Sequence, residues 1–600
     1  MFQEYGVLSA PENGPPRVAK LRARMAEMGL DAFLVPRADA HQGEYVAPRD
    51  ARLAWLTGFT GSAGIAAITA EAAFLFVDGR YTLQARGQVD GDVFTLRNVP
   101  DDKPSEVLAG VLAEGQVVGY DPWLHTARDI EALHEALEES GIALRPVENP
   151  VDAVWEDQPL PPAGAAVPYP ETLAGRSHDE KRADIADALK SAGVRAAVLT
   201  LPDSICWLLN IRGSDIERVP LVHAFGVVHD SGAVALFLDP AKVGGETRAH
   251  LGEAVTIHPA DGFGPALDAL DGPVGVDRAS APVWVSDRLR AAGVEVKWMR
   301  DPCVLPKACK TEAELAGARA AHLRDGAAVV EFLAWLDAEA PKGKLTEIDV
   351  ARELEARRRA TNALQDISFE TISGAGPNGA IVHYRVSEAT NRALRPGELY
   401  LVDSGGQYLD GTTDITRTIA IGEPPEGAVR AFTLVLKGMI AISRARWPEG
   451  LAGRDLDALA RIALWRAGLD YGHGTGHGVG AYLSVHEGPQ NLSRRGEEPL
   501  KPGMIISDEP GYYREGAFGI RIENLLAVCP PETPEGGDRP MLGFETLTLA
   551  PIDRRLIDAE MLSAEERAWL NAYHARVRAE IGPQVSAGAA DWLQAATHDI

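Results

Sequence analysis

Two acidic residues fall where the pattern reads as a strand pair. Glu398-Leu399-Tyr400-Leu401-Val402-Asp403 has the apolar run of a buried strand and leads into Ser404-Gly405-Gly406. Asp410-Gly411 signals a turn, and Thr412 to Ile421 is β-branched and alternating, which predicts Asp403 and Asp414 on neighbouring antiparallel strands. A carboxylate in a buried strand is costly to ionise unless it is paired or bound to a metal. Two on adjacent strands repel, and a divalent cation relieves the conflict. The alternative is that both sit at loop edges in water.

The pattern recurs downstream. Met504-Ile505-Ile506-Ser507-Asp508-Glu509 enters Pro510-Gly511, and Phe518-Gly519-Ile520-Arg521-Ile522-Glu523 reads as the return strand after the turn region Arg514-Glu515-Gly516. Arg521 precedes Glu523 by two residues and so shares its strand face. It could orient a ligand carboxylate, or form an ordinary surface ion pair.

Between these hairpins lies Gly472-His473-Gly474-Thr475-Gly476-His477-Gly478-Val479-Gly480, with glycine at every second position. In an extended conformation one face carries no side chain and admits another backbone or a ligand. The opposite face presents His473, Thr475, His477 and Val479. Glycine this dense opposes a helix, so the two histidines are not a helical zinc pair. They mark a site rather than a flexible loop. His383, at the end of a turn-rich segment, and His486, just before Glu487-Gly488-Pro489, read individually as structural histidines that gain weight from their neighbours.

Four carboxylates and one imidazole make a hard, oxygen-rich ligand set. It balances two divalent cations, suits manganese with cobalt, iron or zinc as alternatives, and disfavours a thiolate zinc site. Two adjacent metals would acidify a shared water and clamp a carbonyl oxygen, which is metal-assisted hydrolysis.

These groups must be positioned by a long chain. Its 600 residues exceed one ordinary core, and 46% apolar with 24% charged residues is soluble globular composition. With 59 Lys and Arg against 86 Asp and Glu, the formal net charge is −27, which argues against nucleic-acid or anionic-membrane binding. The four cysteines exclude a disulfide scaffold, and Cys303 with Cys309 has no second pair for a zinc ribbon. The opening Met1 to Gly6 lacks a secretory pattern and no long apolar run suggests a membrane span, so a cytoplasmic protein is expected.

An internal repeat divides the chain. The amphipathic segment Lys20 to Gly29, the strand Asp31 to Val35 and a tryptophan segment at Trp55 recur in order as Lys181 to Gly193, Ala196 to Thr200 and Trp207. Each tryptophan reads as a core anchor. The breaker clusters Pro159 to Gly164 and Asp301 to Pro306 place boundaries near residues 160 and 305. Two related α/β domains, 1–160 and 161–305, then precede a larger section, 306–600, which opens on a long helix capped by Thr311 with Glu314 at its third position.

The motifs from Asp403 to Tyr408, Asp410 to Thr418, His473 to Gly480, Ser507 to Tyr513 and Gly519 to Asn524 resemble the series of the pita-bread metallopeptidases. Together with Gly58 to Gly64, Asp78 to Tyr81, Phe544 to Leu549 and the Trp569 to His574 helix, they resemble the three-domain, cytosolic type of Xaa-Pro aminopeptidase, or aminopeptidase P. The resemblance implies two creatinase-like α/β domains followed by a pita-bread catalytic domain with a C-terminal extension. It makes Asp403, Asp414, His477, Glu509 and Glu523 the metal ligands, with Asp414 and Glu523 bridging two ions; Arg521, from its strand face shared with Glu523, is the expected supporting residue. His383, His473 and His486, with Glu509, become the catalytic groups. It further implies release of the first residue from peptides with proline second by a metal-activated water, and a homodimer. Prolidase, methionine aminopeptidase, creatinase and a non-catalytic pita-bread binding module are the rival readings.

Overall fold

The computed structural model describes residues 1–99 and 101–600. The chain forms two compact units, one comprising Met1–Val7, Thr172–Gly175 and Leu305–Ile600, the other Leu8–Glu171 and Arg176–Val304.

The second unit contains two six-stranded sheets with one topology. The first runs Phe94–Asn98, Ala73–Val77, Ile65–Thr69, Ala32–Pro36, Val117–Tyr120, Ala143–Pro146 in spatial order; the second runs Val255–His258, Val234–Phe237, Phe225–His229, Ala196–Leu199, Val274–Val276, Val296–Trp298. In both, an early central strand pairs antiparallel on one side and parallel on the other. The sequence repeat is therefore a structural one. Each copy opens with a helix, Gly14–Glu27 and His178–Ala192, the latter closed at its start by a Ser177/Glu180 capping box and at its end by left-handed Gly193. Trp207 is buried, whereas Trp55 is only partly covered and stacks on Trp155 at a 5.2 Å centroid separation. It borders its core instead of anchoring it.

In the first unit the long stretch Leu305–Ile600 carries the helix Glu312–Glu339 near its start, with the Thr311/Glu314 capping box formed. Just before it, Pro306 sits inside the short helix Val304–Ala308. Proline in a first turn removes no helical hydrogen bond, so the expected breaker is a helix start. The strands that carry the site lie in small sheets: Ile372–Ala375, Glu398–Ser404 and Ile415–Ile421 in one, Ile505–Asp508, Asn524–Val528 and Phe544–Thr546 in another. The helices Ala428–Ser443, Gly453–Trp465 and Ala564–Ile581 contribute to the core against which these strands pack. Among the described residues the four cysteines form no disulfide.

Two sequence expectations need adjusting. Asp414 is not within a strand; it precedes Ile415–Ile421 by one residue, and the intervening chain pairs as Gly406–Tyr408 and Gly411–Thr412 in a separate sheet. The return segment is two strands, Phe518–Arg521 and Asn524–Val528, with Glu523 at the break between them.

Candidate metal centre

Main-chain pairing fixes each acid before its side chain acts. Asp403 lies opposite both Ile372 and Thr416 in the central strand of its sheet. The Glu523 amide donates to the Thr416 carbonyl at 3.1 Å, and the Glu509 amide to that of Thr475 at 2.8 Å. His477 is held in the two-residue strand Gly476–His477, whose amide at 477 donates to Ser507 Oγ at 2.9 Å. A Cβ on residue 476 would stand 1.8 Å from the Ser507 carbonyl oxygen, so glycine is required for this approach. The extended geometry is confined to this part of the glycine-rich segment. Thr475 turns inward to Asp457 and Tyr471, and Val479 enters the core.

Asp414, His477 and Glu523 each offer a ligand atom within 4.8 Å of the others. His477 Nε2 is 3.5 Å from Asp414 Oδ2 and 3.6 Å from Glu509 Oε1. Asp403 Oδ2 accepts from Arg521 Nη2 at 2.6 Å, and Glu523 Oε2 from Thr416 Oγ1 at 2.8 Å. The remaining oxygens, Asp403 Oδ1, Asp414 Oδ1 and Glu523 Oε1, are buried and accept no hydrogen bond among the described residues. Orphaned buried carboxylate oxygens are expensive, and a cation is the partner that suits them. The donor set fits divalent metal.

The electrostatics agree. Burial pushes the Asp403 carboxyl up to about 7, against the pull of Arg521 and with the help of the Asp414 and Glu509 charges. Burial likewise raises Glu509, against His477 and Arg521, and raises Glu523 far above the carboxylate range, with Asp414, Asp403 and Glu509 adding to it. For His477, burial disfavours the cation, but the hydrogen bond to Asp414 and the charges of Glu509 and Asp414 prevail and lift it to about 9.

The three other histidines are placed differently. His473 Nδ1 faces the Gly474 carbonyl at 2.7 Å and its Nε2 lies 2.8 Å from Tyr513 Oη, which accepts from Arg521 Nη1 at 2.7 Å. With Nδ1–H donating to that carbonyl, Nε2 accepts the phenol proton. Arg521, fully buried, thus links Asp403 to His473 through Tyr513, which excludes the surface ion pair. His486 packs edge-on to His477 at 4.2 Å between ring centroids. Beside it, Glu487 is buried between Lys310 at 2.6 Å and Lys307 at 3.0 Å. His383 is half-buried on the loop after the turn Gly376–Ala380, whose Gly379 lies against Gly519 of the strand carrying Arg521. Sequence reasoning gave Tyr513, Thr416, Lys307 and Lys310 no role. The hairpin register, Gly511 opposite Arg521 and Tyr513 opposite Gly519, is the signal that would have brought Tyr513 to Arg521.

Residues 316–530 match Metallopeptidase family M24, and 540–600 the C-terminal region of the same peptidases. Residues 17–154 and 157–314 each match a Creatinase/Prolidase N-terminal domain. The chain is 43% identical over 596 residues to a probable Xaa-Pro aminopeptidase P of Aspergillus clavatus, covering 96% of this chain and 90% of that protein. The chain belongs to metallopeptidase family M24. This metallopeptidase superimposes with a TM-score of 0.93 on an X-prolyl aminopeptidase from Caenorhabditis elegans, described as a cytosolic enzyme with a dinuclear active site, at 35% identity over 98% of this chain and 99% of the other. A shorter relative of known structure, the dipeptidase PepE of Mycobacterium ulcerans, covers 64% of this metallopeptidase at 26% identity and a TM-score of 0.51. The fold is therefore two creatinase-type α/β modules ahead of a family M24 catalytic module.

Proposed function

We propose that the chain is an Xaa-Pro aminopeptidase, removing the first residue of peptides whose second residue is proline. Proline specificity rests on the likeness to aminopeptidase P over nearly the whole chain, and the metal chemistry on the cluster of Asp414, His477 and Glu523, flanked by Asp403 and Glu509, in which three buried carboxylate oxygens accept no hydrogen bond among the described residues. Asp403, Asp414, His477, Glu509 and Glu523 would hold two divalent ions, manganese by preference with cobalt, zinc or iron able to substitute. When bound, the ions supply an acidified water and polarise the scissile carbonyl. Arg521 favours the ionised form of Asp403 and orients it, and through Tyr513 fixes the His473 ring. Glu509 would move the proton between nucleophile and leaving group, His383, His473 and His486 would orient the peptide and assist proton transfer, and His383 and His486 would stabilise the developing oxyanion. The scissile bond to proline is a tertiary amide without N–H, so the site needs no acceptor for that nitrogen.

We assign domains to 1–160, 161–305 and 306–600, place the protein in the cytoplasm, and expect a homodimer, with no nucleic-acid or membrane partner. The exposed apolar stripe Leu459, Ile462 and Trp465 on the helix Gly453–Trp465 supports self-association. The function is tested by assaying Xaa-Pro dipeptides against Xaa-Pro-Yaa peptides with the metal-loaded protein. Cleavage of the longer peptides is expected. Turnover of dipeptides alone would instead make the protein a prolidase.

A further inference from the structure

We propose that Gln3 and Tyr5 are positioning residues that hold the loop carrying His383; this rests on the catalytic role assigned to His383 above. The first residues of the chain form a strap on the catalytic unit. Glu355, buried on the helix Glu347–Arg359, accepts the amides of Phe2 at 2.7 Å and Gln3 at 3.2 Å. The Gln3 side-chain amide grips both main-chain groups of Thr371, donating to its carbonyl at 3.2 Å and accepting from its N–H at 3.0 Å. Thr371 leads directly into Ile372–Ala375, where Ile372 pairs with Asp403.

Tyr5 acts on the other end of the same loop. Its ring is buried among Ile348, Ala351, Ile372, Tyr384, Val386 and Leu401, while its hydroxyl has no hydrogen-bond partner among the described residues. The Tyr5 carbonyl accepts the Glu388 amide at 2.9 Å, and Arg385 donates to the carbonyls of Glu4 at 2.8 Å and Gly6 at 3.0 Å. Tyr384, Arg385, Val386 and Glu388 immediately follow His383. Tyr384 Oη is tied in turn to Glu347 at 3.0 Å. The strap therefore pins both the strand entry before His383 and the chain just after it, and a small displacement of a catalytic group is enough to slow a reaction.

The test uses full-length, manganese-loaded variants on an Xaa-Pro-Yaa tripeptide. Gln3→Ala and Tyr5→Ala are expected to lower kcat about 10- to 100-fold with bound metal unchanged. Tyr5→Phe keeps the ring and is expected to retain wild-type kcat. In a His383→Ala background, Tyr5→Ala is expected to cost nothing more, because both act through one imidazole. An unchanged kcat in Tyr5→Ala, or a penalty that persists undiminished without His383, overturns the proposal. Tyr5→Leu, which removes the ring but keeps part of its apolar volume, serves if Tyr5→Ala does not fold, with the same outcomes. If the wild-type protein cleaves no Xaa-Pro peptide, the functional reading fails separately. The strap is then decided by the His383 signal in histidine-labelled NMR spectra, which must move in Tyr5→Ala and not in Tyr5→Phe; an unmoved signal overturns it.

Discussion

Metal uptake by this site should release protons and strengthen steeply with pH. The perturbation is pH itself, between 6 and 8, on metal-free protein. With Asp403 near 7 and His477 near 9, the first is about half protonated at pH 7 and the second almost fully so. Both must be deprotonated to ligate, so these two groups alone release about 1.5 protons at pH 7, and the raised Glu523 and Glu509 add to that. Each proton displaced makes affinity rise about tenfold per pH unit, or about 1.4 kcal/mol. The linked stability has a definite sign. Both groups have folded values above their unfolded ones, so their contribution is present below the unfolded pKa and is lost as pH rises through the folded pKa. Metal-free protein should therefore lose stability from about pH 4 to 7 through Asp403 and from about pH 6.5 to 9 through His477, and bound metal should reverse this. Titration calorimetry of manganese in buffers of different ionisation enthalpy measures the protons directly. Arg521→Met supplies an internal control: without the guanidinium, Asp403 holds its proton more tightly and proton release near pH 8 increases. A pH-independent affinity with no proton release would refute the reasoning.

Three further outcomes are expected. Asp414→Ala and His477→Ala should each abolish bound metal and turnover while the sheets of residues 8–171 and 176–304 stay folded by circular dichroism; undiminished turnover in either would remove the metal centre from the mechanism. Gly476→Ala forces a methyl group against the Ser507 carbonyl, 1.8 Å from its oxygen, and should destabilise the catalytic unit by about 3 kcal/mol in chemical denaturation; a neutral result would mean that the strand contact is loose. Glu487→Ala leaves Lys307 and Lys310 buried without their shared counter-ion and should cost about 3–5 kcal/mol; a loss under 1 kcal/mol would place that triad in solvent.

What could be read from the chain beforehand divides along physical lines. Local signals held: Thr311 and Glu314 cap the helix Glu312–Glu339, and the repeated helix–strand–tryptophan order is two sheets of one topology. His473 and His477 stood out because bare glycine alternation has few other uses, whereas the acids left metal binding and solvated loop edges both open, and His383 and His486 read as structural until the motif series was matched. Long-range choices were not. Arg521 shares a face with Glu523 in sequence terms, yet it pairs with Asp403, on a strand of another sheet. Asp414 lies outside the strand where the hairpin crosses to a second sheet, and there Gly405 admits the Thr413 carbonyl closer than any side chain would allow. The strap at Gln3 and Tyr5 has no periodicity to betray it, since its partners lie more than 340 residues away, as the 353-residue separation of Phe2 and Glu355 shows.

Metal content and tripeptide cleavage measured on one preparation decide whether the site is a dinuclear peptidase centre. About two divalent ions per chain and release of the first residue from an Xaa-Pro-Yaa peptide are expected, both disappearing together in Asp414→Ala. Protein that binds no divalent ion when supplied with manganese, or that cleaves the peptide equally well without metal, would contradict this assignment.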